Sequence, residues 1–291
     1  MKRKLIWISV FAVLFVLLTV LTIQLLFPHY WFIAGEYLGL RCDKEELSAI
    51  EVTDLVPYSL SELMESGSVV FNQSLILING ENLLANDFQP DIVEYKDTGV
   101  MMNRCVPDAY QAVSAAVAEM YDEKLYISSD YRTEEEQEEL HKEDQLTAAQ
   151  PRSSEHEAGL ALDVYVPYYA GFGFIKSKAG RYVNEACWKY GFIIRYPSFG
   201  ESETGIPFEP WHLRYVGEPH AKIIYNNHLT LEEYIQALHM GVWYETDGYI
   251  LSRQQANADG CLLMPNDFGK ATISPDNTGC YVITIPTVDK K

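Results

Sequence analysis

The sequence contains the segment Ser154-Glu155-His156-Glu157-Ala158-Gly159-Leu160-Ala161-Leu162-Asp163, which is followed later in the chain by Glu209-Pro210-Trp211-His212. Gly159 allows the chain to turn sharply after His156, because glycine adopts positive φ angles without steric cost. The Leu-Ala-Leu-Asp-Val run is typical of a strand, and the alternation of side chains along a strand can direct Asp163 towards that turn. The sequence therefore predicts that a turn and a strand bring His156 and Asp163 together.

The two segments supply two imidazoles and two carboxylates, which is a set of groups suited to a catalytic metal. A catalytic zinc ion takes three protein ligands from such side chains and leaves a position for water, so His156, Asp163 and His212 are the candidate ligands. Glu209 precedes His212 by three residues and is placed to contact the bound water without binding the metal. Zinc lowers the pKa of water to about 7, and a neighbouring glutamate can pass its proton to a leaving amine.

Each of these residues also has an ordinary structural interpretation when it is taken alone. A single histidine in a loop is most often a hydrogen-bonded structural residue, and this interpretation is kept for His29, His141, His220, His228 and His239. Asp163 is more informative, because an ionised carboxylate in an apolar strand is costly unless it is paired or binds a metal. The combination of residues therefore carries the prediction of a metal site.

Local signals around the two segments predict a mixture of helices and strands. Capping boxes at Thr133 and Thr230 predict helices that run towards residues 144 and 240, and Pro107 predicts a third helix start. A fourth helix is expected at residues 181–190. Strands are expected at residues 69–78, 125–128, 160–166, 192–196 and 211–216, and in short segments after residue 240 such as 281–285. The chain is therefore expected to be of the α+β class.

An uncharged, largely apolar run at residues 5–27 follows the basic residues Lys2, Arg3 and Lys4. A helix of this length covers the roughly 30 Å hydrocarbon core of a bilayer. Bulky aromatic residues follow it instead of a small-residue cleavage site, which favours a retained anchor over a cleaved signal peptide. The positive-inside rule then places the amino terminus in the cytoplasm and residues 28–291 outside the cell.

Charge and cysteine content exclude two further classes of protein. The net charge of -19 disfavours nucleic acid as a partner, because an acidic surface repels phosphates. Five cysteines without a C-x-x-C pair predict neither a disulfide framework nor a structural zinc cluster. Cys261 and Cys280 could still pair with each other, or remain isolated thiols.

The pattern S-x-H-x(2)-G-x-A-x-D followed by E-x-W-H resembles the zinc D-alanyl-D-alanine carboxypeptidases of the VanY type, which are related to LD-carboxypeptidases and D-Ala-D-Ala dipeptidases. The resemblance extends to Ser129-Asp130-Tyr131-Arg132 and to residues 181–184 and 188–192, and it covers about residues 69–240. It implies a hedgehog/DD-peptidase-like α+β domain, in which an antiparallel sheet carries the metal ligands and helices flank the sheet. Glu157 departs from the family pattern, where glutamine is often found.

The resemblance implies one Zn²⁺ per chain bound by His156, Asp163 and His212, with Glu209 as the catalytic base. It also implies that Arg132 clamps the terminal carboxylate of the substrate, a role that suits a bidentate and permanently charged guanidinium. The alternative for Arg132 is an ion pair with the neighbouring glutamates.

Three more residues in the matching segments have candidate roles. Gln137 and Ser154 are further substrate-binding candidates that the resemblance suggests. Arg195 could polarise the scissile carbonyl or pair with a carboxylate, and the sequence leaves both possibilities open.

The implied function is removal of the C-terminal D-alanine from peptidoglycan stem pentapeptides or their precursor, with a contribution to glycopeptide resistance. L,D-carboxypeptidase or D,D-dipeptidase action on wall peptides remains an alternative, as does a zinc-stabilised module that binds wall peptides without cutting them. The expected organisation is a cytoplasmic tip with a transmembrane anchor (1–27), a stalk (28–68), a zinc carboxypeptidase domain (69–240) and a small β-rich appendage (241–291). The lipid bilayer is the expected partner of residues 5–27.

Overall fold

The structure, a computed structural model, describes residues 2–145 and 148–287, with side chains from residue 7 onward. The side chains of Lys2, Arg3 and Lys4, on which the predicted orientation of the anchor depends, lie outside this description. The last four residues of the predicted appendage also lie outside it.

Helices occur along most of the described chain. The α helices are α1 (Lys2–Leu26), α2 (Pro28–Tyr37), α3 (Leu60–Glu65), α4 (Pro107–Tyr121), α5 (Glu134–Glu143), α6 (Lys178–Ala186), α7 (Glu201–Thr204), α8 (His220–Asn226) and α9 (Leu231–Ala237), and 3₁₀ helices span Glu155–Ala158, Gly171–Lys176 and Cys187–Tyr190. The predicted starts of α4, α5 and α9 are confirmed, and Thr133 and Thr230 form the expected capping boxes. Residues Trp7–Leu26 of α1 have a mean hydropathy of 2.6, which is apolar enough to cross a membrane.

The strands form several separate sheets. They are β1 (Ser48–Ile50), β2 (Leu55–Ser59), β3 (Val69–Phe71), β4 (Ile92–Glu94), β5 (Met101–Asn103), β6 (Tyr126–Ser129), β7 (Ala161–Tyr165), β8 (Phe192–Ile194), β9 (His212–Tyr215), β10 (Trp243–Thr246), β11 (Tyr249–Gln254), β12 (Cys261–Pro265), β13 (Ala271–Pro275) and β14 (Tyr281–Pro286). Within the described residues, β4 pairs with β5 and β2 pairs with β12. The α+β prediction with antiparallel sheets is confirmed.

The sheet that positions the candidate site is antiparallel and has the order β6-β7-β9-β8. Its register places Asp163 of β7 opposite His212 of β9 and also opposite Ser129 of β6. Leu162 and Leu213, which form the adjacent pair, are fully buried in the core. The alternation of the strands therefore directs polar side chains to one face of the sheet while apolar ones fill the other.

The core beneath this sheet is built from strand and helix side chains. Leu162 and Val164 of β7 belong to the same buried cluster as Val117 of α4 and Val183 of α6. Each is fully buried. Complete burial of an aliphatic side chain of this size contributes about 1.5–3 kcal/mol, so this core holds the strands of the site in place.

The carboxyl-terminal strands β10, β11, β13 and β14 form a second sheet together with β1 and β3, in the order β1-β10-β11-β14-β13-β3. Residues 48–65, which the sequence led us to expect within a stalk, differ from that expectation: β1 pairs with β10, and β2 pairs with β12. Leu63 is fully buried against Leu262 and Ile283. Both strands, β1 and β2, are short and pair with strands near the carboxyl terminus, so no local sequence pattern predicts them.

The second sheet also shares a core with the region that carries the site. One buried cluster contains Leu75 and Ile193 together with Tyr244, Leu251 and Val282. The carboxyl-terminal segment is thus packed on the rest of the chain, although the sequence suggested an appendage.

Some element boundaries differ from the prediction for local reasons. The strand expected at residues 69–78 ends at Phe71, because the side chain of Asn72 accepts a hydrogen bond from the Ser74 N–H at 3.0 Å and turns the backbone. The helix expected at residues 181–190 begins earlier, at a cap in which Ser177 Oγ accepts from the Gly180 N–H, and continues as a 3₁₀ turn. Cys261 and Cys280 are free thiols, so the pairing left open by the sequence is not formed.

Candidate metal centre

The turn and the two central strands of the site sheet bring the three predicted ligands together. His156 lies on the 3₁₀ helix Glu155–Ala158, Asp163 lies in the middle of β7, and His212 begins β9. One ligand atom from each of the three side chains lies within 4.8 Å of the others. The grouping predicted from the spacing of the sequence is therefore present in the structure.

Gly159 ends the 3₁₀ helix and directs the chain into β7. Its φ angle is +65°, and a Cβ atom at this position would lie 2.5 Å from Ile92 Cδ1 and 2.7 Å from the backbone nitrogen of Asn103. The Asn103 N–H donates to the Gly159 carbonyl at 2.8 Å, so the two backbones are in direct contact. Only glycine satisfies both the positive φ and this close approach.

The orientation of the His156 ring is fixed by a backbone carbonyl. Its Nδ1 lies 2.7 Å from the carbonyl oxygen of Asp130. Because a carbonyl only accepts, Nδ1 carries the proton and Nε2 is left with a lone pair that faces Asp163 at 3.6 Å. Burial lowers the pKa of His156, which favours the neutral imidazole that a metal requires.

His212 presents its other ring nitrogen to the same carboxylate. Nδ1 of His212 lies 3.1 Å from Asp163 Oδ1, and Nε2 lies 3.7 Å from Glu155 Oε2. Burial alone would lower the pKa of His212, but the neighbouring carboxylates of Asp163, Glu155 and Glu209 outweigh it and raise the pKa to about 9. Carboxylates on both sides of the imidazole thus make this point favourable for a positive charge.

The residues fit a zinc ion. Asp163 Oδ1 is buried and accepts no well-formed hydrogen bond from the part of the chain that the structure describes. Tetrahedral ligands at zinc distances of 2.0–2.1 Å lie about 3.3 Å apart. The observed separations of this oxygen from His212 Nδ1 and His156 Nε2, 3.1 and 3.6 Å, bracket that value. Burial raises the pKa of Asp163, but the two histidines hold it well below its usual range, so the carboxylate is ionised.

Glu209 lies beside this group without being part of it. Its Oε2 is 3.6 Å from His212 Nδ1, and its side chain remains 28% exposed. The Glu209 N–H donates to the Tyr196 carbonyl at 3.0 Å, which anchors the segment between β8 and β9. Burial raises the pKa of Glu209, and the charge of His212 opposes that shift. A carboxyl group with a raised pKa can both accept and return a proton near neutral pH.

Arg132 is held at the edge of the site by two side chains. Its Nη1 donates to Gln137 Oε1 at 2.5 Å, and its Nη2 donates to Ser129 Oγ at 2.9 Å. Burial lowers the pKa of Arg132, while the negative charge of Asp163 acts in the opposite direction. Arg132 makes no ion pair with Glu134, Glu135 or Glu136 within the described residues. The ion pair with the neighbouring glutamates, which the sequence left open for Arg132, is therefore absent from the described residues.

Gln137 and Ser154 have structural partners of their own. Gln137 is fully buried, and its Nε2 donates to the Ala149 carbonyl at 2.7 Å while its oxygen is used by Arg132. Ser154 is also buried, and its N–H donates to Glu157 Oε2 at 3.2 Å. The same carboxylate accepts from the Arg152 N–H. Glu157, where the family often has glutamine, thus ties down the loop that leads into the site.

Arg195 pairs with carboxylates and does not reach the site. Its Nε donates to Glu155 Oε1 at 2.6 Å, and its two terminal nitrogens bind Glu232 at 2.8 and 2.6 Å. Arg214 donates to the same Glu155 oxygen at 2.5 Å. Of the two possibilities left open by the sequence, pairing with a carboxylate is confirmed.

These ion pairs form a network beside His212 that was not predicted from the sequence. Glu155 Oε1 accepts from both arginines, and its Oε2 faces the ring of His212. Carboxylates commonly orient a metal-binding histidine through the ring nitrogen that does not bind the metal. Glu155 stands directly before His156 in the motif, but nothing in the sequence shows that it contacts the other histidine.

Comparisons with known proteins agree with this geometry. The family model for VanY, D-alanyl-D-alanine carboxypeptidase, matches residues 100–218, which include all three candidate ligands. The chain is 34% identical to a bifunctional D-Ala-D-Ala dipeptidase and D-Ala-D-Ala carboxypeptidase, VanXYC of Enterococcus gallinarum, over 55% of this chain and 93% of that protein. The chain belongs to the VanY family of D-alanyl-D-alanine carboxypeptidases.

Further proteins are similar to this chain in sequence or structure. A D-alanyl-D-alanine carboxypeptidase of Enterococcus faecium is 34% identical over 58% of this chain, and the match spans 59% of that protein's length. The vancomycin-resistance D,D-dipeptidase VanXYg, solved with a D-Ala-D-Ala phosphinate analogue, superposes with a TM-score of 0.64 at 25% identity over 80% of this chain and 98% of that one. A VanY D,D-pentapeptidase from a VanB-type resistance cassette, solved with Zn(II), superposes with a TM-score of 0.50 at 30% identity. The match covers 56% of this chain and 98% of that one.

Proposed function

We propose that the chain is a zinc-dependent D-alanyl-D-alanine carboxypeptidase that removes the C-terminal D-alanine from peptidoglycan stem pentapeptides or their precursor. The observation that carries the proposal is the position of Glu209, whose carboxylate lies 3.6 Å from His212 Nδ1 and is still partly open to solvent. A metal site that only stabilises a fold has no need of such a group. A hydrolase needs it to move protons.

His156, Asp163 and His212 would hold one zinc ion through Nε2, a carboxylate oxygen and Nδ1. Zinc at this position would polarise the scissile carbonyl and lower the pKa of water from 15.7 to about 7. The VanY relative solved with Zn(II) supports the choice of metal. The hydrogen bond from His156 Nδ1 to the Asp130 carbonyl and the contact of His212 with Glu155 fix which ring nitrogen each histidine presents.

Glu209 is the proton carrier in this proposal. It takes a proton from the water that attacks the penultimate peptide carbonyl. It then gives that proton to the amine of the departing D-alanine, so the carboxylate is regenerated at the end of the reaction. Its partial exposure allows water to reach it, and its raised pKa suits both halves of the transfer.

Arg132 accounts for recognition of a chain end. A carboxypeptidase must distinguish a terminal carboxylate from an internal peptide group, and a guanidinium can bind the carboxylate through two hydrogen bonds. Gln137 and Ser129 hold Arg132 in position from behind. Gln137 therefore acts on the substrate through Arg132, and Ser154 is assigned to the loop at the edge of the pocket.

D,D-dipeptidase activity is a second candidate, because the VanXYC relative is described as acting both as a dipeptidase and as a carboxypeptidase. The two reactions share the metal group and the proton carrier. They differ in whether the pocket accepts the rest of the stem peptide. Free D-Ala-D-Ala belongs in the same assay as the pentapeptide.

The proposal places the reaction at the outer face of a membrane. Residues 1–27 would anchor the chain with its amino terminus in the cytoplasm, and the folded part of the chain that carries the site would act outside the cell. The apolar span Trp7–Leu26 supports this arrangement. Removal of the terminal D-alanine would also remove the D-Ala-D-Ala end from the wall peptide, which is how the activity would contribute to glycopeptide resistance.

The substitution Glu209→Gln in the full chain tests the proposal, with zinc content and hydrolysis of stem pentapeptide measured on the same sample. We expect unchanged zinc content and a loss of activity of about 10²–10⁴-fold, the usual contribution of a general base. Glu203→Gln, the same change at an exposed position in α7, is the control and should leave both values unchanged. Full hydrolysis by the Glu209→Gln protein would refute the assignment.

A further inference from the structure

The helix that follows the apolar span is docked on the folded part of the chain. α2 begins at Pro28, directly after the end of α1. Phe32 of α2 is 3% exposed, and the guanidinium of Arg41 lies 4.5 Å above its ring. Arg41 also pairs with Glu185 of α6 at 2.9 Å. The end of α1 is therefore held at a defined place on the surface of the domain.

Basic side chains surround this place. A groove of about 350 Å³ is lined by Pro28, Trp31, Lys178 and Arg181, together with the Arg41–Glu185 ion pair. Arg181 is fixed there because it donates to the carbonyls of Ile175 and Lys176. Burial lowers the pKa of His29, and the charges of Lys176 and Arg181 lower it further, as expected for cations next to the first turn of α2.

The basic residues Lys176, Lys178 and Arg181 form no ion pairs with other described residues. Lys176 and Lys178 are exposed, and neither forms an ion pair with another described residue. The whole chain carries a net charge of -19, so a group of unpaired cations next to the end of the apolar span differs in sign from the chain as a whole. A negatively charged surface at this position would complement them.

Exposed aromatic side chains accompany the cations. Tyr30 and Trp31 of α2 are 58% and 41% exposed, and Phe172, in the 3₁₀ helix that contacts α2, is 45% exposed. Tyrosine and tryptophan prefer the headgroup region of a bilayer. Phe172 also packs edge to face on Phe208, the neighbour of Glu209, with ring centroids 6.1 Å apart. The surface thus continues to the rim of the candidate active site.

We propose that the face formed by Trp31, Phe172, Lys176, Lys178 and Arg181 binds the anionic headgroups of the bilayer in which α1 is embedded. This inference rests on the proposed membrane anchoring of α1. Each basic residue close to an anionic leaflet contributes on the order of fivefold in binding. Three of them, with α2 holding the domain in place, keep the active site next to the membrane surface.

The test uses the full chain in nanodiscs of phosphatidylcholine alone and of phosphatidylcholine mixed with phosphatidylglycerol. Lysine acetylation is followed by mass spectrometry. We expect Lys176 and Lys178 to react several-fold more slowly in the anionic discs and to recover at high salt, because screening weakens surface attraction. Lys142 and Lys270, which are exposed elsewhere, should react equally in both lipids. Equal rates at Lys176 and Lys178 in the two lipids would overturn the proposal.

A double variant separates this inference from the anchoring of α1. Lys176→Glu with Lys178→Glu should still float with phosphatidylcholine vesicles, but should lose the protection of the segment around Phe172 from hydrogen exchange that phosphatidylglycerol provides. Lys142→Glu with Lys270→Glu makes the same change in charge and should keep that protection. Failure of the unmodified chain to float would refute the anchor itself. Protection retained by the first variant would refute only the lipid-binding face.

Discussion

Replacement of Glu155 by glutamine should destabilise the folded chain strongly. The carboxylate of Glu155 and the guanidinium groups of Arg195 and Arg214 are each 0% exposed, at separations of 2.6 and 2.5 Å. With Glu232, the cluster contains two positive and two negative charges, so it is balanced. The Glu155→Gln change keeps the size of the side chain but leaves one buried positive charge without a counterion.

The size of the effect follows from the partners that remain. Breaking a buried ion pair by removal of one partner costs about 3–5 kcal/mol. Arg195 keeps both contacts to Glu232, and Arg214 keeps three backbone carbonyls at 3.1, 3.0 and 2.7 Å. We therefore expect the lower end of that range, about 3 kcal/mol. Domains are stable by only about 5–15 kcal/mol in total, so the shift should be readily measurable.

The assay is urea unfolding of the full chain in detergent, followed by tryptophan fluorescence in the presence of a chelator. The chelator removes any contribution from metal bound to His212. Glu138→Gln is the matched control, because Glu138 forms an exposed pair with Lys142 at 2.8 Å, and such pairs contribute at most about 1 kcal/mol. A loss below about 1 kcal/mol for Glu155→Gln would show that no buried positive charge is left without a counterion.

Three further predictions concern the turn, an internal histidine and the substrate clamp. Gly159→Ala should lower the free energy of unfolding by at least about 2 kcal/mol, because positive φ alone costs about 1–3 kcal/mol and the added Cβ would also meet neighbouring atoms. Gly205 has positive φ but open space around it, so Gly205→Ala should lower the free energy of unfolding by less in the same titration. Burial lowers the pKa of His220 to about 3, so below about pH 6.5 the unfolded chain binds a proton that the folded chain does not. As the pH falls from about 6.5 to about 3, His220 should therefore lower the free energy of unfolding by about 1.4 kcal/mol per pH unit. The substitution His220→Gln should make the measured pH dependence less steep. Arg132→Ala should reduce kcat/KM for pentapeptide by about 10- to 100-fold and should abolish the preference for a free carboxylate over a C-terminal amide; a retained preference would exclude the clamp role.

The relation of His156 to Asp163 could be predicted from sequence because its signals are local. The turn at Gly159 and the alternation of β7 relate His156 to Asp163 over a few residues, and the antiparallel pairing of β7 with β9 then brings in His212. The starts of α4, α5 and α9 were likewise predictable, since a proline or a capping box marks each one.

The remainder depends on contacts between distant parts of the chain. β1 and β2 are three and five residues long and pair with strands near the carboxyl terminus. The residues of such short strands carry little information about the position of the strands or about their distant partners. The contact of Glu155 with His212 is also non-local, and its two arginines come from β9 and the end of β8. A glutamate at this position looks in the sequence like one more acidic residue in a polar loop.

In the proposed function, the three ligands and Glu209 together hydrolyse the last peptide bond of a wall peptide. The most direct measurement incubates the zinc-loaded full chain with stem pentapeptide, stem tetrapeptide and D-Ala-D-Ala, and follows the products by mass spectrometry. We predict loss of one D-alanine from the pentapeptide, abolished by chelator and by Glu209→Gln. Trimming of the tetrapeptide alone would move the activity to the L,D class, and no cleavage of any substrate by the zinc-loaded chain would contradict the account and favour a module that binds wall peptides.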